Sequence, residues 1–536
     1  MKSSRRDVLG LMAAGLVGSV AVDGRLAAMP LQGTGPRRSP SGSRPNLILF
    51  VTDECRADAL ASYGNPICRS PNFDLLASQG TRFADCHVQF PVCGASRCSL
   101  LTGLPTSDTG HRSLYYFLRR NEPNLFRYLK DGGYDTLWFG KNDALAHESF
   151  PLSLTEWHDV PPKRPQMTGG GKPAWLTGAP LTMRFDAKID RRATADYELL
   201  QMAIKVLDRR EKDRPFCIFL PINQPHPPYL APEGFDTMYR PQDLPPLAPP
   251  DLPGKPSYHA AIRKAYHLDK ATDADLRAVR ATYYGQVSYA DWLLGELLEA
   301  LQRTGHDKDT VVVATSDHGD YAGDYGLVEK WPSGLESCLT HVPLIARMPG
   351  GPGGHVVREM VELYDIMATF LDLAEVEAKH THFARSLVPQ LNGKAGDVGR
   401  AAYSESGYDT FEPQAFEPPL PGAASLYSAK HDIQNQQPQT VTRAASVATP
   451  DYKFIARPAG QSELYDRRKD PLEQRNLIDD RGHQKVKIAL QERLMNRYIS
   501  TTGVPPWDRD ARETPDFDML SDFGDTREAT RTLLDR

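Results

Sequence analysis

The sequence is poor in cysteine, in net charge and in long apolar runs, and each shortage excludes something. Seven cysteines in 536 residues are too few for a disulfide-dense scaffold. Lys and Arg number 63 against 68 Asp and Glu, a formal charge of −5, so no general basic field draws nucleic acid or anionic lipid. The uncharged stretch Val8 to Val22 would reach about 22 Å as a helix, short of the ~30 Å of a hydrocarbon core. No other segment is long and apolar enough to span a membrane. What is present is ordinary for a folded chain. Hydrophobic residues make up 40% and charged residues 24%, and the length suffices for a large core. The 41 glycines and 44 prolines predict many loops. The balance points to a globular enzyme.

The N-terminus carries an address. Arg5-Arg6 before the mild, Gly/Ala-rich stretch reads as a twin-arginine export signal, with cleavage after Ala21 or near Ala28. This predicts an exported product, periplasmic or secreted. Removing 1–28 takes four basic and two acidic residues and leaves about −7. Residues 29–44 then form a Gly/Pro/Ser linker.

Beyond the linker, Asn46 to Thr52 is a continuous apolar run, the signature of a strand buried on both faces. Similar runs recur at 136–139, 216–220, 310–315 and 343–346. A helical pattern runs from about Ala274 to Gln302, with Gly305 after its end. Strands alternating with helices predict an α/β fold, a large mixed, mostly parallel sheet flanked by helices on both faces. Paired strand patterns at 444–449 and 452–457 and a helix at 485–498 predict a smaller C-terminal α+β part. Three segments read as irregular: 160–182, rich in Gly and Pro; 221–256, with twelve prolines; and 412–422. Residues 405–440 join the first two as candidate specificity loops. Their aromatics Trp175, Tyr229, Tyr239, Tyr408 and Tyr427 would either stack on a substrate ring or pin the loops down.

In such sheets ligands sit beyond the carboxyl ends of the strands. Asp53-Glu54 closes the first run, and Asp317-His318 follows the fourth after one serine. Carboxylates and a histidine at two strand ends suit a divalent cation, and oxygen-rich ligation favours Ca²⁺, Mg²⁺ or Mn²⁺ over Zn²⁺. Taken singly, an Asp after a strand is usually a helix N-cap. Cys93 stands where a helix could begin, with Arg97 one turn on, a combination that suits an anion. Residue chemistry alone does not separate Cys93 from Cys55, Cys68, Cys86, Cys98, Cys217 and Cys338, each readable as a buried or disulfide-bonded cysteine.

The run Cys93-Gly94-Ala95-Ser96-Arg97, followed by Leu101-Thr102-Gly103, resembles the C-x-P/A-x-R signature of the sulfatase family, within the alkaline-phosphatase superfamily. The likeness is to sulfatases of the arylsulfatase and iduronate-sulfatase kind. It extends from Asn46 to Leu477 through Asp53, Phe139-Gly140-Lys141, Gln224-Pro225-His226, Thr315 to Gly319, Glu329-Lys330, Glu463 to Asp466 and Asp470-Pro471, in the family's order. The resemblance implies an alkaline-phosphatase-like fold. It divides the chain into a catalytic domain at 45–400, a C-terminal subdomain at 401–503 and a tail at 504–536.

It also implies hydrolysis of a sulfate ester, on a small molecule or a carbohydrate, through formylglycine made by oxidation of Cys93. A formylglycine-generating enzyme is the implied maturation partner. One divalent metal is implied, Ca²⁺ ahead of Mg²⁺ and Mn²⁺. Its ligands would be Asp53, Asp317, His318 and the modified Cys93, with Glu54 where relatives carry Asp or Gln. Arg97 and Lys141 would hold formylglycine and neutralise sulfate. His226 and Lys330 would face the ester oxygen. Asp143 stands where the family often has a histidine associated with sulfate release, and His147 or His111 would have to substitute. Phosphonate monoester and phosphodiester hydrolases share much of the pattern, and a non-catalytic protein of the same fold is the third reading.

Overall fold

A strand buried on both faces carries apolar side chains in succession, as β1 (Asn46–Asp53) does from Leu47 to Val51. Ile48 and Phe50 pack into the core on one side of the sheet, and Leu47, Leu49 and Val51 into the core on the other. The computed structural model describes residues 44–160, 178–210, 214–412, 415–416 and 426–503. The export segment, Trp175 and the 504–536 tail lie outside them.

Seven further strands join β1: β2 (Thr81–His87), β3 (Asp135–Phe139), β4 (Glu156–His158), β5 (Phe216–Pro225), β6 (Thr310–Ser316), β7 (His341–Arg347) and β8 (His355–Glu362). Their order is β4-β3-β5-β1-β6-β7-β2-β8. Neighbours from β4 to β6 are parallel, β7 runs against both β6 and β2, and β2 and β8 are parallel. The sheet is therefore mixed and mostly parallel, as expected. β5 corrects the sequence reading, which ended that strand at Leu220. It continues through Pro221 to Pro225, and its register against β1 shifts between Val51 and Asp53, where proline offers no N–H to the ladder.

The Asp273–Thr304 helix starts on a capping box made by Thr272 and Asp275 and ends on Gly305 at φ 72°. From its buried face Tyr283 donates to the Glu54 carbonyl (2.7 Å) and accepts the Arg56 N–H (2.9 Å). The long helix thus fixes the turn that leaves β1.

Four antiparallel strands form a second sheet in the order β12-β11-β10-β9: β9 (Ala402–Ser406), β10 (Ala444–Ala448), β11 (Tyr452–Ala456) and β12 (Glu463–Asp466). The Gln484–Thr501 helix covers it through Leu490 and Leu494. The Glu405 N–H donates to the Gln89 carbonyl (2.7 Å) and Arg467 clamps Asp85 at 2.7 and 2.8 Å, joining this layer to the large sheet. No helix among the described residues is long and apolar enough to cross a membrane.

Two buried groups illustrate the response to acid. Burial pushes the His87 imidazole down to about 4. Burial also raises the Asp324 carboxyl, but Arg280 and Arg56 outweigh it and hold that group at about 2. Each binds fewer protons folded than unfolded, so each contributes stability that is lost as pH falls. His87's share goes between about 6.5 and 4, and Asp324's from about 4 downward. The Tm is expected to drop in two overlapping stages as pH falls, with His87→Gln making the upper stage smaller. A Tm flat from about pH 7 to pH 3 would contradict this.

Candidate active site

The carboxyl ends of four neighbouring strands, β3, β5, β1 and β6, bring the site together. Asp53 ends β1, Asp317-His318 follow β6, His226 follows β5 and Lys141 follows β3 by two residues. Two glycines permit the approach. Gly140 has φ 139°, and a Cβ there would lie 2.2 Å from the Pro221 carbonyl oxygen; at Gly319 one would lie 1.9 Å from that of Cys338.

Cys93 is the first residue of the Cys93–Thr102 helix, every residue of which is buried. Its Sγ lies 3.2 Å from His318 Nε2, 3.4 Å from Asp53 Oδ1 and 3.9 Å from Lys141 Nζ. One helical turn on, Arg97 donates through Nε to Asp317 Oδ2 (2.8 Å), through Nη2 to Asp53 Oδ2 (3.1 Å) and through Nη1 to the Lys141 carbonyl (3.2 Å). Asp317 Oδ1 also accepts the Glu54 and His318 N–H groups at 3.2 and 2.9 Å. Glu54, at φ 71°, turns its carboxylate toward Lys330 Nζ, in contact, and His226 Nε2 at 3.0 Å. Lys330 Nζ also lies 2.9 Å from His226 Nε2 and 3.1 Å from Glu329 Oε1. All nine residues expected at the site are thus gathered there.

The electrostatics follow from crowding charged groups where water is excluded. Burial raises Asp53, but Lys141 foremost outweighs it and holds the carboxyl well below the usual range. Burial works against the charge of Lys141, and Asp143 and Asp53 more than compensate; Cys93, Glu54 and Glu329 do the same for Lys330. Both ammonium groups stay charged. Burial pushes Glu54 well above the carboxylate range, with Asp320, Glu329 and Asp53 adding to the push. Burial, then Asp53, pushes the Cys93 thiol up, so it is neutral near pH 7.

The donor set fits a divalent cation. Asp53, Glu54, Cys93 and His318 place one ligand atom each within 4.8 Å of one another. His318 Nδ1 faces the Gly319 carbonyl oxygen at 2.9 Å, which assigns its proton there and leaves Nε2 bare toward the cluster. Glu54 Oε2 is buried with no hydrogen-bond partner among the described residues. A cation would relieve both the orphan oxygen and the crowding that lifts Glu54.

Several points the sequence left open are decided. His111 bonds to the Tyr116 carbonyl and Glu122 at 2.7 and 2.8 Å, and exposed His147 packs on Phe150 and Trp157, so neither takes the place of the missing histidine. Asp143 itself pairs with Lys141 at 2.9 Å. Tyr229, Tyr239 and Tyr408 are buried pins whose hydroxyls bond to Asp320, Ser288 and Gln434. Half-buried Tyr427 faces the Pro227 carbonyl at 3.5 Å. All seven cysteines are free thiols, with no disulfide among them.

The sequence reading gave no role to Glu329 or Lys430. Glu329 accepts from Lys430 at 2.9 Å and from Lys330, so a buried chain Glu54–Lys330–Glu329–Lys430 runs from the site into the Ser428–Gln436 helix. The Glu329-Lys330 motif was a signal for the first of these. Nothing in the sequence marks Lys430.

A family model described as Sulfatase matches residues 45–376. The chain is 25% identical over 489 residues to the "Uncharacterized sulfatase YidJ" of Escherichia coli K12, covering 88% of this chain and 92% of that protein. The crystal structure of the phosphonate monoester hydrolase of Agrobacterium radiobacter aligns with a TM-score of 0.70 at 23% identity, over 87% of this chain and 100% of that one. BT4656 in complex with its substrate D-glucosamine-2-N,6-O-disulfate aligns at 0.67 and 20%, over 87% and 100%. At these identities the two structures show the fold alone.

Proposed function

The chain belongs to the sulfatase family of sulfuric ester hydrolases, and on that premise we propose that it cleaves the sulfate ester of a carbohydrate or an aryl alcohol at Cys93. The observation that carries this reading is the environment of the sulfur. Cys93 Sγ sits on a buried helix N-terminus with an aspartate, a bare imidazole nitrogen and a lysine within 3.9 Å.

Asp53, Glu54, His318 and residue 93 would hold a divalent cation, with Ca²⁺ favoured by the oxygen-rich set, and Asp317, the ligand the family resemblance adds, is held beside them by Arg97. When bound there, the cation supplies charge that polarises a sulfate oxygen and lowers the pKa of a coordinated hydroxyl. Formylglycine at position 93, made by a dedicated oxidising enzyme, supplies as its hydrate two hydroxyls where a thiol has none.

The remaining work belongs to unmodified side chains. Arg97 helps keep Asp53 ionised and aims both Asp53 and Asp317. Lys141 Nζ, 2.8 Å from Asp53, lies beside the sulfur and can pair with an anionic sulfate oxygen. His226 Nδ1 faces the Pro227 carbonyl oxygen at 2.5 Å, which leaves Nε2 to accept from Lys330. This pair can pass a proton to the ester oxygen as its bond to sulfur breaks. Glu329 and Lys430 hold Lys330 in place. Arg5-Arg6 ahead of the apolar stretch supports placing the reaction in the periplasm or the medium.

Two measurements test the reading. Mass spectrometry of the Cys93 peptide from the native host is expected to show a loss of about 18 Da relative to cysteine. Turnover of an aryl sulfate is expected to exceed that of the matching aryl phosphonate by about tenfold or more. Preference for the phosphonate would reassign the ester and keep the site. Unmodified cysteine with no turnover of either would overturn the proposal.

A further inference from the structure

Exposure within the Cys93 cluster shows which way the site opens. Asp53, Cys93, Asp317 and His318 are 0% exposed, whereas the side chains of His226 and Lys141 are 18% and 27% exposed. A sulfate group seated at Cys93 would therefore carry its alcohol on the side of His226 and Lys141. In-line displacement asks for the same placement, since the leaving oxygen must lie opposite the attacking one.

Tyr427 stands at that opening. Its hydroxyl lies 3.5 Å from the Pro227 carbonyl oxygen, the atom that His226 Nδ1 faces at 2.5 Å. Burial pushes the hydroxyl up, and Glu329, Lys330, Glu54 and Lys141 all act on it, so its oxygen lies within electrostatic reach of both lysines of the site. Lys430 Nζ lies over one face of the ring at 5.9 Å, and a substrate ring would meet the other. Tyr229, Tyr239 and Tyr408 are buried, whereas Tyr427 is half-buried and keeps part of its surface at the opening.

The ring is also firmly mounted. Tyr427 directly precedes the Ser428–Gln436 helix, and its carbonyl accepts the His431 N–H at 3.0 Å. That helix is tied down by Lys430 on Glu329 (2.9 Å), by Gln434 accepting from the Tyr408 hydroxyl (2.8 Å) and by buried Ile433. A side chain fixed before its ligand arrives loses little freedom on contact, which is what a stacking wall requires.

We propose that Tyr427 is a specificity-determining residue of the Cys93 site, packing its ring against a six-membered ring of the leaving alcohol. The inference rests on the reading of Cys93 as the sulfate-ester site, and adds that the alcohol carries a ring close to its ester oxygen. A phenol and a pyranose share this flat, partly apolar face, and the test separates them.

The experiment compares the parent with Tyr427→Leu and Tyr427→Phe as full-length protein from the native host. Leucine keeps apolar bulk and removes the ring, whereas phenylalanine keeps the ring. The KM for 4-nitrophenyl sulfate or for D-glucose 3-sulfate is expected to rise about tenfold or more in Tyr427→Leu, and to stay within about threefold in Tyr427→Phe. The inhibition constant of inorganic sulfate, which has no alcohol to reach the ring, should stay within about twofold in both. A larger rise for the aryl ester would identify a phenol as the class, and a larger rise for the glucose ester a pyranose. An unchanged KM for both esters in Tyr427→Leu, or an equal weakening of inorganic sulfate, would overturn the proposal. Turnover of neither ester by the parent would count against the reading of Cys93. Calorimetric binding of the same esters to parent and Tyr427→Leu protein then decides on Tyr427 by the same ratios, and absence of binding overturns it as well. Should Tyr427→Leu not fold, Tyr427→Met, also without a ring, takes its place.

Discussion

Cys93→Ala protein is expected to fold like the parent and to turn over an aryl sulfate at least about 10⁴-fold more slowly. Both halves follow from the position of the residue. Alanine is the best helix former, and the lost sulfur leaves a small void at a helix start, a cost of about 1 kcal/mol. The far-UV spectrum and Tm should therefore hardly move. The chemistry has no such tolerance, because every group of the cluster converges on the atom that is removed. Cys93→Ser sharpens the test. A serine carries one hydroxyl, enough to take up sulfate and not enough to expel it, so a burst of at most one product per protein is expected without turnover. Retained steady-state turnover in either variant would remove Cys93 from the reaction.

Arg97→Ala is expected to cost stability first and activity with it. The Arg97 guanidinium is 1% exposed and lies between Asp53 and Asp317, both 0% exposed. Deleting it strands two buried carboxylates with only Lys141 nearby, a loss of about 3–5 kcal/mol. The deficit should be largest in chelator and shrink when a divalent cation is restored, since a cation repels neither carboxylate and replaces much of the lost charge. A kcat reduced about 10²–10³-fold in the metal-loaded variant would match the removal of one fixed charge from the site. A Tm unchanged by the substitution, with and without chelator, would show that the cluster does not depend on the arginine.

How much of this could be read from the chain alone depends on how each element is buried. β1 and β6 declared themselves because both faces are covered and their middles, Leu47 to Val51 and Val311 to Ala314, are unbroken apolar runs. β2 and β8 lie at one side of the sheet and carry Arg82, Asp85, Arg358 and Glu359 within the strand, so neither shows an apolar run. β7 was visible as a strand, but a short apolar run carries no direction, and its antiparallel course came only with the structure.

The rule that ligands gather beyond parallel strand ends located Asp53, Asp317 and His318 from the residues themselves. Singling out Cys93 from six other cysteines required a family resemblance, because a helix N-terminus beside an arginine is common. Lys430 was out of reach of either route. It arrives from 100 residues beyond Lys330, on a polar helix whose only buried apolar side chain is Ile433. The aromatic loop residues left platform and pin both open, and the structure decides for the pin at Tyr229, Tyr239 and Tyr408. Tyrosines in proline-rich segments look like platforms until their hydroxyls are seen to bond inward.

The complete burial of Cys93 has a consequence in time. The residue is 0% exposed, sealed by β1, the Asp317-His318 turn and the Ser113 carbonyl that lies against Gly94. No enzyme can take hold of a side chain so enclosed, so the proposed oxidation has to happen while the chain is still open. The cluster that seals Cys93 joins residues as far apart as 53 and 330, which cannot meet until most of the catalytic layer has been synthesised. That delay is the interval in which maturation fits. The export proposed from Arg5-Arg6 would add a further step, since carriage in the folded state would put oxidation and folding before departure from the cytoplasm. Chains that fold before they are oxidised would be stable and permanently inactive.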